Sequence, residues 1–362
     1  MTSRTGVSIG QLFLLLLILG GLPACGSTPA ETAPQQQAIY FPDPPDPPRV
    51  QFLRSVSKGS DIERARSGLD SLLFGEQEVE KSVMAPYGVG FHQGKVYICD
   101  IQQSTVLTLD FKAEEMGFLD LKGRAALQKP VNLAFAPDGR IFIADLGRRQ
   151  VVVIGPDHQY QRELGPFSES SKVVDVEIFN DQLYVVDQGD GLVRVFDLDS
   201  SQELRSFGQG ENSHKAPTNL SIANDGTCYV VDTILCQVFV WDAEGTFVKH
   251  IGKAGDTVGE FGRPKGIGID REQIYVIDAA FENCQILDFE GEPLMYFGGP
   301  GVAPHNLFLP AGVWIGEEGL DQFKNELDSD FQAERLIIIA NQFGPNKVNF
   351  YALGKSDSFS YE

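Results

Sequence analysis

Residues 264–278 read PKGIGIDREQIYVID, and this stretch shows the unit from which most of the chain is built. A proline opens a glycine-spaced apolar run, a polar turn follows, and a second apolar run ends at an aspartate. In outline the same order occurs six times, and the last copy is interrupted by residues 316–334. The residues that end the second run are Asp100, Asp145, Asp187, Asp232, Asp278 and Asn341. The five aspartates are 45, 42, 45 and 46 residues apart, which is a period typical of repeat folds.

Each copy contains enough apolar and alternating segments for four β-strands. The tripeptides at 137–139 (Pro-Asp-Gly) and 224–226 (Asn-Asp-Gly) favour tight turns between the first strand and the second. The second strand is almost wholly apolar, as expected where neighbours cover both faces of a sheet. Four-stranded units of roughly 40–45 residues, repeated six times, predict an all-β fold: a six-bladed β-propeller of four-stranded blades.

The sixth copy supplies only three strands, so the ring needs a closing strand from elsewhere. Residues 355–362 are too polar for this role, whereas residues 49–56 alternate apolar and polar side chains. We therefore predict that residues 49–56 pair with residues 347–351 as the outer strand of blade six, and that deleting residues 355–362 has little effect. Two inserts, residues 60–75 and 316–334, carry apolar residues at helical spacing and predict short amphipathic helices.

The N-terminal residues predict that the protein is exported from the cytoplasm. Residues 12–19 are an apolar run too short for a bilayer of roughly 30 Å but typical of a secretory signal. Leu22-Pro23-Ala24-Cys25-Gly26 follows and resembles the cleavage box of bacterial lipoproteins, in which the cysteine becomes lipidated. An ordinary signal peptide with an incidental cysteine is the alternative. An acyl chain on Cys25 would hold the protein on a membrane without spanning it, and Gly26 favours the outer membrane, facing the periplasm.

These segments predict four parts of the chain. Residues 1–24 are a lipoprotein signal peptide, residues 25–48 a proline-rich tether, residues 49–354 the propeller, and residues 355–362 a C-terminal tail. The proline-rich composition before residue 49 favours an extended backbone that would lift the folded domain from the lipid surface.

The repeat resembles the NHL-repeat propellers. It shares their order of Pro-x-Gly-Ile, then Ile-Tyr-Val-x-Asp, then a strand ending in Phe-Asp, and the resemblance covers residues 84–353. Residues 41–53 are also similar to the start of lipid-anchored NHL proteins of environmental bacteria. The resemblance implies a fold and leaves function open, because propellers serve as binding modules and as enzymes.

The charge of the chain limits its partners. There are 29 Lys and Arg against 50 Asp and Glu, which gives a formal net charge of −21. A polyanion repels phosphate backbones, so nucleic acid is excluded as a partner class. The same charge favours a basic protein partner, in addition to the membrane reached through Cys25.

Two groups of polar residues are candidates for a site. The recurring Asp100, Asp145, Asp187, Asp232 and Asp278, with Asn341, are interpreted as a structural ladder that accepts backbone N–H bonds in turns. Asn132, Asp175 and Asn219 lie at the channel end of first strands, and their oxygens suit a hard cation such as Ca²⁺. Lys265 would point a positive charge at that ion, so a polar lining filled with water is favoured over a metal site.

The remaining reactive residues do not form a catalytic motif. The five histidines lack the three equivalent positions that a zinc site needs, so they are expected on the surface or in loops. No Cys-x-x-Cys-His is present, which excludes covalent haem, and no cofactor is predicted. The four cysteines after Cys25 are expected to be buried free thiols.

Two functions are compatible with these observations. The first is a lipid-anchored, non-catalytic binding or scaffold protein of the bacterial cell envelope. The alternative is a metal-dependent hydrolase or lyase of the lactonase or amidating-lyase type, with Ca²⁺ or Zn²⁺ held near the axis.

Overall fold

The computed structural model describes residues 38–63 and 80–361. Six antiparallel sheets, one for each sequence repeat, surround a common axis, and the innermost strand of each sheet contacts those of its two neighbours. The predicted six-bladed β-propeller is therefore confirmed. No helix in the described ranges has the length and apolar character needed to cross a bilayer.

Two strands precede the repeats, and each blade then follows in chain order. The preceding strands are β1 (Ile39–Phe41) and β2 (Val50–Val56). Blade one contains β3 (Pro86–His92), β4 (Lys95–Asp100), β5 (Thr105–Asp110) and β6 (Glu115–Phe118). Blade two contains β7 (Pro130–Phe135), β8 (Ile141–Asp145), β9 (Gln150–Ile154) and β10 (Tyr160–Leu164). Blade three contains β11 (Val173–Phe179), β12 (Gln182–Asp187), β13 (Leu192–Asp197) and β14 (Glu203–Phe207).

The second half of the ring repeats this arrangement. Blade four contains β15 (Pro217–Ile222), β16 (Cys228–Asp232), β17 (Gln237–Trp241) and β18 (Phe247–Ile251). Blade five contains β19 (Pro264–Ile269), β20 (Ile274–Asp278), β21 (Asn283–Leu287) and β22 (Pro293–Gly298). Blade six contains β23 (Pro310–Gly316), β24 (Phe331–Asn341) and β25 (Val348–Ser356), and β2 completes it.

The N-terminal strand closes the ring as predicted. β2 pairs antiparallel with β25 from Val50 opposite Leu353 to Val56 opposite Val348. Val50 and Val56 are fully buried, so this pairing also contributes to the core. A chain closed in this way leaves no unpaired third strand in blade six.

Both predicted boundaries of the propeller need correction. β1 pairs with β2 and adds a fifth strand to blade six, so the segment assigned to the tether (25–48) enters the folded body at Ile39. β25 extends to Ser356, into the segment assigned to the tail (355–362). Tyr361 also packs on the body, because its hydroxyl accepts a hydrogen bond from the Ser356 N–H at 2.7 Å and donates one to the Pro48 carbonyl.

The predicted helices differ from the observed local structure. Of the first insert, residues 64–79 lie outside the described residues, and Gly59–Asp61 forms a single 3-10 turn. In the second insert only Leu320–Phe323 is helical, again as a 3-10 turn, and Phe331 already begins β24. Two further 3-10 turns lie at Gly123–Ala125 and Gly210–Asn212. Phe323 is fully buried between Phe111 and Phe350. The apolar residues whose spacing predicted a helix are therefore explained by packing against the core.

Antiparallel strands give the ring two faces. The crossover face carries the turns between second and third strands and the loops from one blade to the next. The hairpin face carries the turns between first and second strands and between third and fourth strands. The turns that connect strands within the blades on the hairpin face, for which its charge is counted below, are residues 93–94, 111–114, 136–140, 155–159, 180–181, 198–202, 223–227, 242–246, 270–273, 288–292 and 317–330.

Apolar clusters between adjacent blades form the core. One example is the cluster of blades six and one, which contains Phe91, Ile98, Leu107, Ile338 and Phe350, all almost completely buried. Since each second strand contributes side chains to the clusters on both sides, its sequence is apolar throughout.

Candidate functional site

The aspartate that ends each second strand ties together two loops of the crossover face. The Asp100 carboxylate accepts the N–H groups of Met84 and Ala85, which precede β3, at 2.7 and 3.1 Å. It also accepts those of Gln102 and Gln103, in the turn to β5, both at 3.0 Å. Asp232 and Asp278 each bind four backbone N–H groups in the same way.

Three ladder members vary this pattern. Asp145 accepts three backbone N–H groups, from Gln128, Lys129 and Arg148. Asp187 accepts one backbone N–H together with the Ser171 hydroxyl and the Arg194 guanidinium. Asn341 accepts from the Phe308 N–H at 3.2 Å and donates from its amide to the Asn346 carbonyl at 2.8 Å. Each of these side chains is completely buried, and all serve loop geometry.

Asn132, Asp175 and Asn219 meet near the axis, where they form a hydrogen-bonded belt across three inner strands. The Asn132 amide donates to Asp175 and, at 3.2 Å, to the Asn219 side-chain oxygen in the orientation that satisfies both atoms of that amide. Asn219 in turn donates to the Lys265 carbonyl at 3.0 Å. The belt therefore links blades two, three, four and five.

The Asp175 carboxylate is occupied by protein donors. One oxygen accepts the Val176 N–H at 2.8 Å and the Asn132 amide, and the other accepts the Leu220 N–H at 2.7 Å. Burial nevertheless raises the pKa of Asp175 to about 7. These three hydrogen bonds use most of the roughly four lone-pair sites of the carboxylate, whereas a Ca²⁺ site needs several free oxygen ligands. The donor set therefore fits a structural tie between blades better than a Ca²⁺ site.

Glycines occupy the other half of the belt. A Cβ atom on Gly88, Gly266 or Gly312 would lie 2.3–2.5 Å from a carbonyl oxygen of the neighbouring inner strand. Since carbon cannot approach oxygen this closely, only glycine permits the contact between strands. The belt thus consists of three polar side chains on one half and bare backbone on the other.

Lys265 lies one residue before this level, and its amino group contacts side chains of blades one and six. Its Nζ donates to the Gln342 side-chain oxygen at 3.0 Å and lies 5.4 Å from the centre of the Tyr87 ring. Burial, with the nearby Arg263 charge, lowers the pKa of Lys265 to about 8. Its contacts are a neutral amide and an aromatic face, and both suit a partly desolvated cation.

Below the belt an axial cavity of about 650 Å³ opens on the hairpin face. Its walls combine apolar side chains, among them Phe91, Phe135, Ile222 and Trp314, with polar and charged ones. Glu177, two residues after Asp175 on β11, also lines it. Burial, followed by repulsion from Asp175, raises the pKa of Glu177 to about 8.

Sequence reasoning missed Glu177, although a signal was present. Pairing with the second strands places Gly90, Ala134, Ser221 and Gly268 at the equivalent positions in blades one, two, four and five. A charged residue among small neutral ones marks Glu177 as exceptional at this level of the ring.

Ion pairs surround the mouth of the cavity. Arg335 lies 3.4 Å from Glu317 and 3.8 Å from Asp270, and Arg271 lies 3.7 Å from Glu317. Asp270 and Arg335 also line a second cavity of about 910 Å³ between blade five and the terminal strands of blade six. These two residues therefore separate the axial cavity from a lateral groove.

The histidines and cysteines do not assemble into a metal centre. In the described residues no group of three His, Cys, Asp or Glu side chains is placed to hold a metal ion. His214, expected on the surface or in a loop, lies in the loop before β15, where it is buried and accepts a hydrogen bond from the Trp241 indole at 3.3 Å. Cys99, Cys228, Cys236 and Cys284 are buried and carry free thiols.

The charges of the two faces differ strongly. The hairpin face holds 19 acidic and 4 basic residues, a formal charge of −15. The loops of the crossover face, counted over their described residues, hold 10 acidic and 12 basic residues, a formal charge of +2. The negative charge of the chain is therefore concentrated on the side where the axial cavity opens.

Comparison with known proteins agrees with this architecture. Residues 209–297, which are 89 of 362 residues, match the model of a family described as a 6-bladed beta-propeller. Among solved structures, the chain is similar to a Bacteroides thetaiotaomicron protein of unknown function, with a TM-score of 0.57, 15% identity, and coverage of 84% of this chain and 75% of that one.

Two structures with assigned activities are similar at the same level. Virginiamycin B lyase from Staphylococcus aureus has a TM-score of 0.52 and 14% identity, with coverage of 75% of this chain and 96% of that one. Hydrazine synthase of Kuenenia stuttgartiensis has a TM-score of 0.52 and 14% identity, with coverage of 76% and 98%. At these identities the likeness shows a propeller fold and carries no activity with it.

Proposed function

We propose that this chain is a non-catalytic binding module of the cell envelope that docks a basic protein partner on its hairpin face. The observation that carries this proposal is the charge of −15 on that face, against +2 on the described loops opposite. A field of one sign on one face orients and accelerates the approach of a partner of opposite charge. The rigid ring holds the acidic loops in fixed positions, which favours a specific complex.

The occupied belt favours binding over metal-dependent hydrolysis or lyase chemistry. Both oxygens of Asp175 accept N–H groups, and Asn132 and Asn219 bond to one another and to the backbone. A hydrolytic metal needs several free ligand atoms and an open coordination position. The polar residues of the axis are instead engaged in joining blades.

We also propose the finer classification and the address that the sequence suggests. The repeat pattern supports an NHL-type propeller, and the box around Cys25 supports a lipoprotein, held at the outer membrane and facing the periplasm. The change Cys25→Ser should abolish labelling by palmitate and leave an uncleaved precursor or a protein in the soluble fraction. Labelling that persists in this variant would contradict the anchor.

The docking proposal is tested by neutralising four glutamates of the hairpin face that make no ion pair in the described residues. The variant replaces Glu244, Glu272, Glu292 and Glu318 by glutamine. Its control removes the same charge from the crossover face by replacing Asp120, Glu169, Glu211 and Asp256 with the corresponding amides. Cross-linking in native envelopes, quantified by mass spectrometry, should lose links from the hairpin face to a basic protein only in the first variant. The proposal is contradicted if the hairpin-face variant keeps these links, or if the crossover-face control loses them to the same extent.

A further inference from the structure

The axial cavity combines features that the docking proposal does not use. Its volume of about 650 Å³ is that of a pocket for a small organic molecule. The belt residues Asn132 and Asn219 lie at its inner end, and the mouth opens among acidic loops. Such a pocket is closed at one end and accessible from solvent at the other.

Glu177 is a carboxyl group without a partner on the wall of this cavity. No hydrogen bond or ion pair joins it to any residue in the described part of the chain. The Asp175 carboxylate repels its charge, and no cationic side chain pairs with it among the apolar and polar residues of the wall. A carboxylate in such a place is costly unless a cation comes close to it.

Trp314 occupies the position of blade six that is equivalent to Glu177 in blade three. Blades three and six are opposite in a ring of six, so the carboxyl and the indole line the cavity from opposite walls. The four equivalent positions between them are Gly90, Ala134, Ser221 and Gly268. These small residues leave the space between the two large side chains open.

From this juxtaposition we infer that the axial cavity binds a small organic cation, an ammonium group carried on an apolar body. The positive charge of the ligand favours the ionised form of Glu177 and pairs with it, and the indole face of Trp314 attracts the same charge through its quadrupole. The apolar body packs on the hydrophobic walls, which include Phe91, Phe135 and Ile222. The acidic mouth raises the local concentration of such a ligand.

The charges near Glu177 support a monovalent organic ion over a metal ion. Glu177 is a single carboxylate, and a Ca²⁺ site requires six to eight oxygen ligands. The bases near the cavity, Arg271 and Arg335, are paired with Glu317 and Asp270 at the mouth and do not neutralise Glu177. An anionic ligand would bring its charge beside two acidic groups, Glu177 and Asp175, which disfavours that class.

The test uses benzyltrimethylammonium as the probe and benzyl alcohol as its neutral counterpart, titrated into the purified full chain. The chain has two tryptophans, and Trp241 is buried in the core of blades three and four, so a change in fluorescence on binding reports on Trp314. We expect saturable binding of the cation and at least about tenfold weaker binding of the alcohol.

Matched variants assign the binding to the two side chains. Glu177→Gln should weaken binding of the cation about tenfold and leave that of the alcohol unchanged, and calorimetry on Trp314→Leu should show a loss of several-fold. Glu292→Gln removes the same charge from the hairpin face outside the cavity and should bind like the unchanged chain. Equal affinity for both probes, or unaltered binding of the cation by a folded Glu177→Gln variant, overturns the inference. The outcome does not depend on docking, because no protein partner is present.

Discussion

At the residue scale, buried carboxylates that accept backbone N–H groups join neighbouring loops of the ring. Asp278 accepts the N–H groups of Gly262 and Arg263 before β19 and those of Ala280 and Phe281 after β20. Asp278→Ala leaves four N–H groups without their acceptor, and we expect a loss of about 3 kcal/mol in the free energy of unfolding.

Urea unfolding followed by circular dichroism measures this loss. Asp225→Ala is the matched control, since Asp225 lies in an exposed hairpin turn and accepts one backbone N–H, from Thr227 at 2.9 Å. That change should cost less than about 1 kcal/mol. Similar losses in both variants would show that the ladder is not a special source of stability.

His214 gives the ring a defined response to acid. Its Nε2 accepts from the Trp241 indole and its Nδ1 faces the Gly191 carbonyl, both at 3.3 Å, an arrangement that requires a neutral ring. Burial lowers the pKa of His214 to about 4, although the nearby Asp232 opposes the shift.

Because the unfolded chain binds this proton near pH 6.5 and the folded chain only near pH 4, the contribution of His214 is present above pH 6.5 and lost as the pH falls toward 4. As the pH falls over this range, the free energy of unfolding of the wild type should therefore decrease by about 3 kcal/mol more than that of His214→Gln. Urea unfolding at each pH measures this difference. The exposed His158→Gln variant should follow wild type. Parallel curves for wild type and His214→Gln would contradict this assignment.

At the scale of the element, the sequence predicted the strands that belong to the repeat and did not predict the elements outside it. The inner and second strands follow from the sequence because an apolar second run recurs in all six copies and a proline opens five of the six inner strands. β1 has three residues and no repeat, so only its pairing with β2 reveals it. The 3-10 turn at Leu320–Phe323 replaced a predicted helix, since a spacing of three to four residues also suits one turn followed by a strand.

The site divides in the same way. The sequence placed Asn132, Asp175 and Asn219 at one level of the channel because equivalent positions in a repeat share a level. It could not show that the three would use their hydrogen bonds on each other, since that depends on the distance between inner strands. The sequence shows a charged residue at position 177. That Glu177 has no hydrogen-bond or ion-pair partner among the described residues follows only from the structure, in which small residues occupy the equivalent positions of four other blades.

The C-terminal tail is an element whose role the structure changes. The Tyr361 hydroxyl bridges Ser356 and Pro48, and the Arg49 guanidinium lies 4.4 Å from the centre of its ring. Tyr361→Ala removes two hydrogen bonds and this cation–π contact, so we expect a loss of about 1–2 kcal/mol, measured by thermal unfolding. Tyr296→Ala is the control, because that tyrosine is 54% exposed on β22 and should contribute little. If the melting temperature of Tyr361→Ala equals that of the wild type, the tail does not contribute to stability, as the sequence predicts.

At the scale of the whole molecule, stability depends on closing the ring with strands from both ends of the chain. β2 buries Val50, Phe52 and Val56 almost completely against the core of blade six and its neighbours. Full burial of such side chains is worth roughly 1.5–3 kcal/mol each, so the strand contributes an amount comparable to the roughly 5–15 kcal/mol that stabilises a typical domain. The ring and its closing strand should therefore unfold together.

Deleting residues 50–56 from the full chain should consequently produce aggregation, because β25 would expose its backbone along a whole edge. Deleting residues 38–41 removes β1 alone, whose three side chains are only partly buried, and should leave a folded ring with a lower melting temperature. Size-exclusion chromatography and thermal unfolding distinguish the two deletions. A synthetic peptide of residues 47–57, added during refolding, should restore a monomeric, folded ring to the first variant, since the pairing register with β25 does not require a covalent connection. A monomeric 50–56 deletion that melts like the intact chain would show that blade six closes without its N-terminal strand.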